Sequence, residues 1–307
     1  MSDLIANAQL SDSKDCPLAA KHPVAEKIPT REAQIGENLI IRRALPTSQR
    51  RMIGAWCFFD HFGPLNLKTE GLNIAPHPHM GLQTFTWTLH GEILHRDSLG
   101  SEQIIKPGAV NLMTAGVGIS HSEESLPDSV LHGVQLWIAL PDRIRNMAPD
   151  FAHYPQVPER IIEGLKLQII AGEFYGEVAP AKVYTPLVGV DLHALEDTAI
   201  TLPLNPKFEY GILPLIGECT IENQHVDLTS LLYLGCGRTQ LTLNMRAGHR
   251  ALLVGGEPFE EEILMWWNFV ARSEAELVVA VQAWEVGHRF GQVHGYVGGR
   301  LEAPQLP

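Results

Sequence analysis

HPHMGLQTFTWTLHGEILHRDSLG, residues 77–100, and KPGAVNLMTAGVGISHSEES, residues 106–125, decide how the chain is read. LQTFTWTLHGEIL (82–94) and GAVNLMTA (108–115) are short, rich in β-branched and aromatic residues, and lack a helical period. Gly91, Gly100 and Pro107-Gly108 break them at turn positions. Such punctuation predicts strands joined by tight turns.

Working outward, the same pattern recurs. ENLIIRRAL (37–45) and HGVQLWIAL (132–140) are further strands, and a second series begins at LKLQIIAG (165–172) and runs to HRALLVGGEP (249–258). Between the series, residues 140–160 carry Pro141, Pro149, Pro155 and Pro158, which predicts a linker. The expected organisation is all-β. An arm spans 1–27, a first domain 28–140, a linker 141–160, a second domain 161–290 and a tail 291–307. A length of 307 residues suits two domains. WTLHGEILHRDSLGSEQIIKPGAVNLM (87–113) and PLIGECTIENQHVDLTSLLYLG (214–235) share a strand–Gly–strand shape, as diverged repeats would. One short helix is expected near the C-terminus, capped by Ser273 with Glu276 three residues on. Leu277, Val281 and Trp284 share its apolar face, and Gly287 ends it.

Composition removes several function classes. A hydrophobic share of 45% with 19% charged residues describes a packed chain. The net charge of −12 repels phosphate, so direct nucleic-acid binding is not expected. The one dense basic patch, Arg42, Arg43, Arg50 and Arg51, is read as a solvated strand edge or loop. No apolar run approaches the roughly 18 residues of a membrane helix. Cys16, Cys57, Cys219 and Cys236 are far apart with no CxxC, as in a reducing compartment. The opening MSDLIANAQLSDSKDC has no signal-peptide pattern, and the cytoplasm is the expected location. A monomer is the default.

The chemistry lies in the histidines. Five of fourteen, His77, His79, His90, His95 and His121, fall between residues 77 and 121. Residues two apart on a strand share a face. His77-Pro-His79 therefore sets two imidazoles on one side, and His121-Ser-Glu123 does the same with an imidazole and a carboxylate. One such pair is an ordinary strand feature, but two in one domain favour convergence on a single metal ion. Three imidazoles and a carboxylate without thiolate suit Fe(II), Ni, Co, Mn, Cu or Zn. His90 and His95 flank the turn at Gly91 and are read as solvent-facing or as supports behind the ligands; His61 is open. Gly116 and Gly118 are read as aiming His121 and Glu123 inward. Gln135 and Trp137 share a face and, with Phe58, Trp56 and Phe85, either line an apolar pocket or pack a core.

The quoted stretches, extended by WCFFDHFGP (56–64), HGVQLWIAL (132–140) and VGGEP (254–258), resemble the pirins, a branch of the cupin superfamily. The resemblance implies two tandem jelly-roll-type cupin barrels with metal in the first only, Fe(II) foremost. Its ligand set falls on His77, His79, His121 and Glu123. Where general cupins carry their carboxylate ligand stands Gln83, which the resemblance makes a candidate for orienting a ligand or water. Some pirins are quercetin 2,3-dioxygenases, which open a flavonol with O₂ and release carbon monoxide; Glu123 would then be the general base. Others are metal- or redox-dependent regulators that bind a transcription factor or a metabolic enzyme. The dioxygenase is the leading expectation and the regulator the alternative.

Overall fold

The computed structural model describes residues 9–35, 39–67, 71–125 and 129–306. Residues 1–8 of the expected arm, Glu37 and Asn38 of the expected 37–45 strand, and Pro307 of the tail lie outside them. Two β units are each built from a seven-stranded and a four-stranded sheet. In the first, Asp150–Tyr154, Val110–Thr114, Leu82–His90, Ser129–Ala139, Trp56–Leu67, Leu39–Leu45 and Arg31–Ile35 run side by side. Against them lies the sheet Asn73–His79, Ile119–Glu124, Ile93–Asp97 and Glu102–Ile105. The second unit repeats this division, so the diverged-repeat expectation holds at the level of whole sheets.

Three expectations need correction. The strand Glu26–Pro29, split by expectation between the arm (to 27) and the first domain (from 28), pairs with Ser230–Leu234 and gives the second unit its edge strand, with Ile28 buried. Two strands occupy the expected linker. Asp150–Tyr154 pairs with Val110–Thr114, and Glu159–Ile162 with Leu165–Ala171. Pro149, Pro155 and Pro158 stand just outside these edge strands, where the missing N–H breaks no ladder. The basic patch is not wholly solvated. Arg43 is buried and holds both carboxylate oxygens of Asp60 at 2.8 Å. Arg50 is buried with its guanidinium 3.8 Å over the Tyr233 ring.

The helix matches its sequence signals. It spans Glu274–Glu285, the Ser273 side chain accepts from Glu276 N–H, and Leu277, Val281 and Trp284 are buried. The reciprocal half of the capping box is absent, because the Glu276 carboxylate binds Arg145 and the Arg272 N–H. Among the described residues no helix is long and apolar enough to cross a membrane.

The interiors of the two units differ. The second is filled by Leu167, Ile169, Val190, Leu192, Ile212, Leu232 and their neighbours. The first holds two apolar clusters, one around Trp137 and Met113 and one around Ile74 and Ile93. Buried polar side chains separate them. Between the units the two seven-stranded sheets pack face to face, with Phe85, Trp87 and Leu136 against Leu213, Tyr233 and Leu252. One charged clasp is embedded there. Fully buried Asp191 accepts from Trp87 Nε1 at 2.7 Å and from Arg250 Nε at 2.6 Å. Removing the carboxylate strands both donors. We expect Asp191→Ala to cost about 3 kcal/mol in urea unfolding, as broken buried pairs do; a loss within 0.5 kcal/mol, the rough range of surface changes, would show the clasp to be idle.

Candidate metal centre

The strand register assembles the centre. His121 lies directly opposite His77, and Ile119 opposite His79, in the antiparallel pair of Asn73–His79 with Ile119–Glu124. Directly opposed residues share a face, as do alternate residues along each strand. His77, His79, His121 and Glu123 therefore all face the interior, as their spacing predicts. The register then slips, so Glu123 meets Ile74. On the other flank Asp97 opposes His121 and His95 opposes Glu123, adding both to the same face.

Nitrogens of His77, His79 and His121 all lie within 4.8 Å of one another, close enough to hold one metal ion. Nε2 of His79 and Nε2 of His121 are 3.1 Å apart. Exposure of the three side chains is 0%, 0% and 2%. Glu123 is equally buried on the shared face but is not part of that 4.8 Å group.

Burial decides the protonation of the ligands. It lowers His77 to about 3, against a small upward pull from the Ala75 hydrogen bond. It holds His79 and His121 well below the usual histidine value, with neighbouring imidazoles adding to the effect. All three are neutral near pH 7, the form that binds metal. His77 Nδ1–H donates to the Ala75 carbonyl at 2.9 Å, which leaves Nε2 as a lone pair. That buried Nε2 has no hydrogen-bond partner. An orphaned acceptor in a dry interior costs about 1–3 kcal/mol. The 3.1 Å approach of two further Nε2 atoms needs a proton or a cation between them. A cation bound at about 2.0–2.1 Å satisfies all three, and two donors so spaced subtend close to a right angle at it. The residues present fit a divalent metal.

Facing the ligands is the inner surface of the seven-stranded sheet. Trp137 stacks on Phe58 with centroids 4.0 Å apart and receives the His79 ring edge-on at 5.1 Å. Two residues further along, a polar row crosses neighbouring strands in register through Asn111, Thr86, Gln135, Asp60 and Arg43. Thr86 donates to Gln135 Oε1 at 2.9 Å. Trp137 Nε1, Gln135 Nε2 and Asn111 Nδ2 are buried donors with no partner.

One reading is corrected here, and several left open by the sequence are decided. Gln83 is one residue out of phase with this surface. It points at the second unit, donating to Thr114 Oγ1 at 2.9 Å and to the Lys182 carbonyl at 3.1 Å, and so does not attend the ligands. Trp56 and Phe85 likewise pack between the units. His61 faces away from the centre, paired with His132 at 2.8 Å. His90 is exposed and bonded to the Val130 carbonyl. His95 is buried behind His121 rather than solvent-facing. Gly116 does need its glycine: at φ +52° a Cβ would sit 2.2 Å from the Met147 carbonyl oxygen. Asp97 and Asn111 were missed, although His95-Arg96-Asp97 repeats the two-residue spacing that singled out the ligands.

The family models named Pirin and Pirin C-terminal cupin domain match residues 38–138 and 189–291. The chain belongs to the pirin family. A Pseudomonas aeruginosa protein named "Putative quercetin 2,3-dioxygenase" is 48% identical over 100% of this chain and 98% of its own length. A pirin-like protein of Caulobacter vibrioides is 34% identical over 81% of this chain and 89% of its own. The crystal structure of a quercetin 2,3-dioxygenase from Acinetobacter baumannii superposes with a TM-score of 0.90 at 49% identity, covering 92% of this chain and 96% of that one. Both units are thus cupin barrels, and the molecule is a bicupin. For the centre itself we expect His79→Ala and His121→Ala to abolish bound metal in plasma mass spectrometry of the purified protein. Full occupancy in both would reject the ligand assignment.

Proposed function

We propose that this pirin is a metal-dependent dioxygenase of the quercetin 2,3-dioxygenase type, opening a flavonol with O₂ and releasing carbon monoxide. The names borne by relatives at 48% and 49% identity support the reaction class. One observation carries the reading: the histidine cluster faces a stacked aromatic pair beside three buried, unpartnered donors. A planar polyphenol has the complementary character, an apolar ring system edged by oxygens that accept hydrogen bonds.

His77, His79 and His121 hold the ion in this reading, with Glu123 as fourth ligand and Fe(II) as the first choice of metal. A divalent cation there supplies Lewis acidity toward the flavonol 3-oxygen and exchangeable positions for substrate. Glu123 takes the proton of the 3-hydroxyl as general base. Trp137 and Phe58 hold the ring plane. Gln135 Nε2, Asn111 Nδ2 and Trp137 Nε1 donate to the carbonyl and hydroxyl oxygens. The burial of these side chains keeps bulk water from the substrate.

Quercetin bound anaerobically and then exposed to O₂ should lose its flavonol absorbance and yield carbon monoxide. Fully metallated protein that gives neither would remove the dioxygenase reading. Copurification of one stoichiometric protein partner, lost on metal removal, would then favour the regulator. Glu123→Gln should weaken metal retention and lower turnover by about 10²–10⁴, the usual worth of a positioned base; unchanged turnover would reject that role.

A further inference from the structure

Behind His121, on the flank away from His77 and His79, the strand Ile93–Asp97 places two buried side chains in line. His95 Nδ1 is 3.2 Å from His121 Nδ1, and His95 Nε2 is 3.2 Å from Asp97 Oδ2. The other carboxylate oxygen accepts the backbone N–H of Leu99 at 2.9 Å and of Ser101 at 3.0 Å. Burial pushes the Asp97 carboxyl up, but the bonds from His95 and Ser101 outweigh it and leave the group below its ordinary value. Phe151 stacks on the His95 ring at 4.5 Å and 14°, fixing its plane.

Hydrogen positions follow from one fact: an ionised carboxylate only accepts. The hydrogen in the His95–Asp97 contact therefore sits on His95 Nε2. With a single N–H on His95, its Nδ1 is a lone pair. It must receive the hydrogen of His121 Nδ1. His121 Nε2 is then the lone pair, and it is the atom turned toward His79. The direction cannot reverse while Asp97 stays an anion and His95 carries one N–H.

We propose that Asp97 and His95 are positioning residues that set the tautomer of His121 and so present its Nε2 for metal capture. The inference rests on reading His121 as a ligand. It adds that the ligand's competence is imposed from a carboxylate two hydrogen bonds away. Outer partners of this sort are commonly worth 10- to 100-fold in metal affinity.

Asp97→Asn tests it with an isosteric change. The amide oxygen can still serve Leu99 and Ser101, but the amide NH₂ then faces His95 Nε2. Every hydrogen in the chain shifts, and His121 Nε2 becomes N–H, blocking the metal. Nitrogen-15 NMR of the ring nitrogens in metal-free protein reads this directly. We expect His121 to carry its hydrogen on Nδ1 in the unsubstituted protein and on Nε2 in Asp97→Asn. Affinity for Fe(II) or Ni(II), from chelator competition, should fall 10- to 100-fold in Asp97→Asn. His95→Phe, which keeps a ring against Phe151 but removes the acceptor, should fall by about 10-fold. Hydrogen on His121 Nε2 in the unsubstituted protein would overturn the inference even if neither variant folded. So would unchanged affinity in both variants. Correct tautomers in a protein that leaves quercetin intact would defeat the proposed function alone, and turnover with undiminished affinity in Asp97→Asn would defeat this inference alone.

Discussion

Three neutral imidazoles turned toward one point, their nitrogens within 4.8 Å of one another, are a constraint that the rest of the first barrel serves. Each ring is buried, so none takes a proton readily near neutral pH. Each has a nitrogen whose lone pair needs a positive partner. The antiparallel register of His77 with His121 creates this crowding, and the Ala75 carbonyl fixes one ring within it. A packed apolar core would be cheaper, as the second barrel shows with the same two-sheet frame filled by leucine, isoleucine and valine. The buried polar layer therefore sets the first barrel apart, and the frame around it is common to both.

The seam between the barrels has a separate task. It is apolar across the two large sheets and locked by the Trp87–Asp191–Arg250 clasp. Side chains there alternate with those lining the centre, so one strand serves both surfaces. Gln135 and Trp137 face the histidine cluster, while Leu136 between them and Ile138 after them face the second barrel. Ordering the seam therefore also orders the wall opposite the histidines.

How much of this is legible in the chain depends on the range of the interaction. The clustering of His77, His79 and His121 is legible because a two-residue spacing on a strand is a local fact that the fold only has to preserve. The same rule misplaces Gln83, where a likeness to other cupins suggested a role but strand phase sets the side chain on the opposite face. Asp150–Tyr154 and Glu26–Pro29 read as linker and arm because prolines stand near them. Their pairing partners are non-local, and nothing within those segments announces them. Arg43 looks like one of a solvated basic cluster until Asp60 arrives from the next strand. His95 is legible as one alternative, a support behind the ligands, but Asp97 carries the same spacing and joins it only when the register sets both beside His121.

X-ray absorption at the metal edge of protein purified without added ions tests the central claim most directly, since it reports the element and its nearest donors together. Three imidazole nitrogens at about 2.0–2.1 Å with additional oxygen donors and no sulfur is the expected first coordination shell. A protein that carries no metal, or one whose ion lacks imidazole scattering, would contradict it.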